Sequence, residues 1–349
     1  MPPKDEYIEL IDQIWESGWL TNNGPLVTRL EKKLKEAFGV KHLFFVTNGT
    51  SALQIAIKAL ELTGEIITTP YSYVATSSSI VWEGAKPKFV DIDKGTWNID
   101  PSLIKEKVDQ STSGIIATHV YGNPCDIDGI TRVAKDQNLK VIYDASHCFD
   151  TYLRGKHILN YGDVATISFH ATKLFHTIEG GAIVTNDDEM AHRISYMRDF
   201  GHNGEEAFWG LGINAKNSEF HAAMGLCNMM HFDKIKIGLT ERFEFYSNLF
   251  CDLPIQLQQL SNDSNITHGF FPVVFESTEV MLQIKSALNQ ESIFPRRYFY
   301  PSLNNLPYVE SINEQNAQYI SERVLSLPFY HNLPLDIIEK ISRIINKNI

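Results

Sequence analysis

From about residue 40 to 190 the chain alternates short β-rich runs with stretches of helical periodicity, and no other feature narrows its fold as much. Leu43-Phe44-Phe45-Val46 reads as a strand that stops at Thr47-Asn48-Gly49-Thr50. Ala52, Leu53, Ile55, Ala56, Ile57, Ala59 and Leu60 then recur at the spacing of a helix face. A hydroxyl of Thr50 or Ser51 is suited to cap that helix, because it accepts a bond from an early N–H without a helical partner. Ile66-Ile67-Thr68-Thr69 is a further strand, closed by Pro70. Phe89-Val90-Asp91, Gly114-Ile115-Ile116-Ala117, Lys140-Val141-Ile142-Tyr143, residues 164–169 and Ala182-Ile183-Val184 continue the series, with a helix over 127–135. Strands separated by helices predict an α/β fold with a mostly parallel central sheet covered on both faces. Ligands of such sheets bind beyond the carboxyl ends of the strands. That directs attention to residues 48–51, Tyr73, Asp144 and the stretch after Phe169.

The 349 residues exceed the ~150 typical of one domain. After about residue 238 the texture changes to polar helices, a Ser261-Asn262-Asp263-Ser264-Asn265 turn and a strand-like run over 269–275. Helices Gln315–Arg323 and 335–346 close the chain. We therefore expect a large domain over 1–238 and a smaller α+β domain over 239–349.

A 43% hydrophobic and 21% charged composition suits a soluble globular protein. Lys plus Arg is 31 against 42 Asp plus Glu, a net charge of −11, which argues against a nucleic-acid partner. No apolar window approaches the ~20 residues of a membrane span, so no membrane association is expected. Met1-Pro2-Pro3-Lys4-Asp5-Glu6 lacks a basic region leading into an apolar one, so a cytoplasmic location without a signal peptide is expected. The four cysteines, Cys125, Cys148, Cys227 and Cys251, show no zinc or disulfide spacing, and no metal is expected.

Chemistry concentrates at the strand ends. Gly49-Thr50-Ser51 opens a helix, where unpaired N–H groups and the positive helix end suit a phosphate or a simple cap. Neither a Walker loop nor a strand-linked GxGxxG is present. Asp144 ends an apolar strand, where a carboxylate serves as helix cap, metal ligand with His147, or partner of a cationic ring. Lys173 follows the next strand in Ser168-Phe169-His170-Ala171-Thr172-Lys173, ahead of the turn Glu179-Gly180-Gly181. A lysine there is either solvated or, once desolvated, able to form a Schiff base. A phosphate site, a carboxylate and an amine from strand ends of one sheet are the complement of pyridoxal phosphate.

These residues resemble the DegT/DnrJ/EryC1/StrS sugar aminotransferases, of the type I, aspartate-aminotransferase-like fold. The resemblance runs through Trp19-Leu20-Thr21-Asn22-Asn23-Gly24-Pro25, Asn48-Gly49-Thr50-Ser51-Ala52-Leu53, Thr69-Pro70-Tyr71-Ser72-Tyr73-Val74-Ala75-Thr76, His119-Val120-Tyr121-Gly122 and Asp144-Ala145-Ser146-His147. It continues through Ser168 to Lys173, Gly212-Ile213-Asn214-Ala215-Lys216 and Ser326-Leu327-Pro328. Phe294-Pro295-Arg296-Arg297-Tyr298-Phe299-Tyr300-Pro301 is similar to the members that make dTDP-4-amino-4,6-dideoxyglucose.

The resemblance implies that Lys173 is the Schiff-base lysine and proton carrier, that Asp144 faces the pyridine nitrogen and that His147 lies near the phenolic oxygen of the cofactor. It implies that Tyr73 stacks on the ring and that Gly49, Thr50 and Ser168 bind the phosphate. It implies that Asn214 reaches the phosphate from a neighbouring subunit, so the unit is a homodimer with shared active sites. Lys216, Arg297 and Tyr300 are candidate substrate contacts. Asn217 stands where Met or Leu is usual, which leaves the packing of that loop open. The implied reaction moves an amino group from L-glutamate, through pyridoxal phosphate and pyridoxamine phosphate, to the C4 ketone of dTDP-4-keto-6-deoxy-D-glucose. The product would serve surface glycan (lipopolysaccharide) synthesis. The alternative is amination of a dTDP-3-keto-6-deoxyhexose. A dehydratase of this family carries histidine in place of the lysine, and a regulatory protein would bind the cofactor without turnover by glutamate.

Overall fold

A computed structural model describes residues 1–310 and 313–349. Its centre is a seven-stranded sheet. Across the sheet the strands lie in the order His42–Val46, Gly181–Thr185, Val164–Ser168, Lys140–Asp144, Thr112–Thr118, Glu65–Thr68 and Lys86–Phe89. Gly181–Thr185 runs antiparallel to both neighbours, and the remaining pairings are parallel. The central strands are buried on both faces, with Ile66, Ile67, Ile115, Ile116 and Ile142 fully inaccessible, as continuous Ile/Val runs require. Two apolar clusters cover the two faces, one around Leu30, Phe45, Tyr143 and Phe169, the other around Leu53, Ile57, Ile80 and Ile183.

The parallel arrangement brings Val46, Thr68, Thr118, Asp144 and Ser168 to one edge. Because Gly181–Thr185 runs the other way, its beginning lies at that same edge, and Glu179 arrives there with it. A Cβ at Gly181 would come 2.7 Å from the carbonyl carbon of Asn48. Glycine therefore lets this strand start abut the turn that opens helix Gly49–Ala59.

Several local expectations shift. The cap of helix Gly49–Ala59 is Asn48, whose Oδ1 accepts the Ser51 N–H at 2.8 Å. The hydroxyl of Ser51 instead meets Thr47 Oγ1 at 2.9 Å. The strand read over 89–91 lies at Lys86–Phe89. Within the polar 261–265 run, Ser264–Ile266 forms a strand antiparallel to Thr151–Leu153, because edge pairing uses backbone groups and tolerates polar side chains. Helices Lys4–Ser17 and Pro25–Phe38, absent from the pattern reading, pack on helix Glu219–Met230. The buried carboxylate of Glu219 accepts the N–H groups of Leu26 and Val27 at 2.7 and 2.9 Å.

Helix Phe232–Phe250 runs unbroken through residue 238. Beyond it, helices Thr278–Gln290, Gln315–Arg323 and Leu335–Asn348 flank the antiparallel pair Phe271–Val274 and Val324–Leu327. Their core gathers Tyr246, Phe250, Phe271, Met281, Ile338 and Ile341. A further cluster joins Tyr71, Trp97 and Tyr121 to Phe299, Ile320 and Val324, and so ties this C-terminal part to the sheet edge. Among the described residues no helix is long and apolar enough to cross a membrane.

Candidate active site

A pocket of about 350 Å³ opens at the carboxyl edge of the sheet. It gathers Gly49, Thr50, Tyr73, Asp144, His147, Ser168 and Lys173, each picked out in the sequence. Asn48, His170 and Thr172 join from the same two strand-end stretches, and the structure adds Ser72, Thr118, Ser146, Glu179, Arg296, Tyr298 and Phe299. Among the described residues no group of three or more His, Cys, Asp or Glu side chains is arranged to hold a metal ion.

Gly49 and Thr50 begin the helix, and their N–H groups take no acceptor within its first turn. A Cβ at Gly49 would stand 3.0 Å from Cβ and 3.4 Å from Oγ of Ser168. The missing side chain therefore draws the helix start and the end of strand Val164–Ser168 into one concave donor surface.

Asp144, only 4% exposed, ends strand Lys140–Asp144. Its Oδ1 accepts the N–H of Ser146 at 3.1 Å and the hydroxyl at 2.5 Å. Its Oδ2 accepts Thr76 Oγ1 at 3.2 Å. Thr76 continues to Ser72 at 2.8 Å, and Ser72 to Thr118 at 3.0 Å. A hydroxyl chain thus orients a buried carboxylate, and that carboxylate requires a cationic neighbour.

Lys173 is partly buried beside it, its N–H donating to the His170 carbonyl at 2.9 Å. Burial lowers its pKa from 10.5 to about 8; the Asp144 charge opposes the shift and the Arg296 charge adds to it. An amine so tuned is partly neutral near pH 8 and nucleophilic. His147 is buried, and burial followed by the Lys173 charge holds its pKa well below the ordinary imidazole value. Tyr73 is 53% exposed and lies 6.1 Å, ring to ring, from Tyr298.

The remaining candidates lie elsewhere. Arg297 and Tyr300 face away from the pocket, the guanidinium 3.3 Å over the Tyr300 ring and donating to the Glu322 carbonyl at 3.3 Å. Their place is taken by Arg296 and Tyr298. Backbone pairing of Arg296 with Ser326, at 3.0 and 2.8 Å, sets which side of this extended segment faces the sheet. From there Arg296, Tyr298 and Phe299 enter the pocket and Arg297 does not. Arg296 has no ion-pair partner among the described residues. The sequence signal was the Arg296-Arg297 doublet, which names a cation without naming the face.

Neither Asn214 nor Lys216 lines the pocket of its own chain. Asn214 is exposed and pairs by backbone with Asp199. Lys216 is 8% exposed, with its ammonium bound to Asp199 and 4.8 Å over the Phe200 ring. Asn217 anchors this loop, its amide donating to the carbonyls of Val46 at 3.2 Å and Glu179 at 3.0 Å.

The DegT/DnrJ/EryC1/StrS aminotransferase family profile matches residues 3–346. The chain is 41% identical to dTDP-4-amino-4,6-dideoxy-D-glucose transaminase of Shigella dysenteriae, over 98% of this chain and 95% of the relative. It is 35% identical to the transaminase of the same name from Escherichia coli, over 99% and 96%. Among solved structures it superposes on DesI, determined in the presence of its TDP-sugar product, with a TM-score of 0.94 and 30% identity, covering 99% of this chain and 90% of the other. An amine, a buried carboxylate and a helix-start cradle in one pocket agree with these likenesses, and the chain belongs to the DegT/DnrJ/EryC1/StrS aminotransferase family, as a pyridoxal-phosphate-dependent nucleotide-sugar transaminase.

Proposed function

We propose that the enzyme transfers the amino group of L-glutamate to the C4 ketone of dTDP-4-keto-6-deoxy-D-glucose, giving dTDP-4-amino-4,6-dideoxyglucose. The observation that carries this reading is the convergence of Lys173, Asp144 and the Gly49–Ser168 cradle on one pocket. The choice of sugar is supported by the name of the Shigella dysenteriae relative.

The donor set fits pyridoxal phosphate. Gly49 and Thr50 N–H groups with Ser168 Oγ would hold the phosphate. Asp144 would face the ring nitrogen, where opposite charges about 4 Å apart attract by about 4 kcal/mol at an effective dielectric of ~20, before desolvation. Tyr73 would cover the ring, His147 would lie by its phenolic oxygen and Lys173 would bond to its aldehyde. Bound there, the cofactor supplies an electron sink for the charge left when the amino donor loses its α-proton. Lys173 Nζ is the base that takes this proton and the acid that returns one when the sugar is aminated. Arg296, with no carboxylate of its own, would bind a carboxylate of glutamate. We further propose a homodimer in which the exposed Asn214 of one protomer completes the phosphate site of the other; Lys216, tied to Asp199, would support that loop.

Incubation of purified enzyme with glutamate and each ketosugar separately, with the product identified by NMR, tests the reading. Formation of the 4-amino sugar from the 4-ketosugar is expected. Turnover of the 3-keto isomer alone would replace it with the 3-amino reading, and bound cofactor without conversion of glutamate would refute both.

A further inference from the structure

His147 has one protonation pattern open to it. Its Nδ1 lies 3.2 Å from the backbone nitrogen of Tyr121. An amide N–H only donates, so Nδ1 carries the lone pair and the ring proton resides on Nε2. Aromatic groups box the ring: Phe299 at 5.7 Å and 8°, Tyr121 at 6.2 Å and 8°, and Phe270 at 4.5 Å. This enclosure keeps the imidazole neutral.

The hydroxyl of Tyr298 stands 3.4 Å from Nε2. Tyr298 is itself held, its ring stacked on Phe270 at 5.6 Å and 19°. Its carbonyl accepts the Tyr121 hydroxyl, which meets the Tyr71 hydroxyl at 2.8 Å. Burial, then the neighbouring Tyr73 and Asp144, raises the Tyr298 pKa, so the phenol keeps its proton. Once its oxygen accepts from Nε2, its own O–H remains to be donated from this C-terminal wall into the pocket that Lys173 and Asp144 also line.

We infer that Tyr298 positions His147 and that its hydroxyl, rather than the imidazole, is the hydrogen-bond donor this wall offers to an oxygen acceptor on a bound ligand. The acceptor chemistry is a phenolate or a carbonyl oxygen, supplied by the cofactor ring or by the sugar ketone. The inference deepens the aminotransferase reading and rests on it.

The variant Tyr298→Phe keeps the ring and removes only the hydroxyl. In the protein without cofactor, NMR of labelled histidine should show the His147 Nε2 proton exchanging with water at least ~5-fold faster in the variant, the equivalent of the about 1 kcal/mol of one hydrogen bond that withdraws it. With pyridoxal phosphate bound, a shifted absorbance maximum assigns the acceptor to the cofactor. An unshifted spectrum, with the sugar half-reaction slowed ~10-fold or more relative to the glutamate half-reaction, assigns it to the ketone. Unchanged proton exchange overturns the positioning role whatever the rates do. Faster exchange with wild-type spectrum and rates overturns the donor role. The exchange measurement needs no cofactor, so it stands apart from the aminotransferase reading, which fails if the wild type does not bind pyridoxal phosphate.

Discussion

The two walls of the pocket come from different kinds of chain. One is built from turns at strand ends, with Gly49, Asp144, Ser168 and Lys173 each within a few residues of a buried strand. The other is an extended C-terminal segment bearing Arg296 and Tyr298. On the first wall, local pattern and final position coincide, because a strand's end sets where its next residue lies. On the second, neighbours in sequence part company, and Arg297 and Tyr300 stack on each other away from the site. A strand of the central sheet is located by its own apolar run, whereas an extended segment takes its facing from the partner it pairs with, here Ser326.

Substitutions on the two walls should therefore differ in size and kind. Lys173→Ala should lower transamination by at least ~10⁴-fold, the upper range for loss of a positioned acid–base group; steady-state rates measure it, and normal turnover would remove Lys173 from its assigned role. Asp144→Asn should lower kcat by about 10²–10³-fold, as expected for one preorganised electrostatic group, with the fold retained by circular dichroism. Gly49→Ala forces a Cβ to 3.0 Å from that of Ser168. It should weaken pyridoxal phosphate binding by about tenfold, or 1.4 kcal/mol, in a fluorescence titration.

The C-terminal wall gives a paired test. Arg296→Gln should raise the KM for glutamate by about tenfold, the effect of one charge-assisted hydrogen bond. Arg297→Gln should leave KM near wild type and cost about 1–2 kcal/mol, that of a half-buried cation–π contact, read as a lower Tm. A larger kinetic effect at 297 than at 296 would break the contrast between adjacent residues.

The smallest effect is one of pH. Neutral amine is the reactive form, so uptake of pyridoxal phosphate by the cofactor-free protein should rise as pH increases through about 8 and then level off. Removing the Arg296 charge makes the Lys173 ammonium easier to keep, so Arg296→Gln should move the midpoint upward. Removing the Asp144 charge does the reverse, and Asp144→Asn should move it downward.

The sequence by itself determined the alternating architecture, because buried parallel strands must be apolar along their whole length and helices must show a face. It also determined the strand-end residues, since the chain has no freedom between the end of a buried strand and the turn that follows. Only tertiary structure decided that Asn48 rather than Thr50 or Ser51 caps the helix, a choice made by distance to the Ser51 N–H. It likewise decided that Lys216 is held by Asp199 and that Glu179 reaches the pocket through the strand that runs against the others of the central sheet. The turn of Arg296 and Tyr298 toward Lys173 belongs there too. The cap is a contact across three residues, set by the local turn, but each of the others depends on which segment, distant in the chain, supplies the opposing hydrogen bond or charge, and such pairings leave no trace in local periodicity.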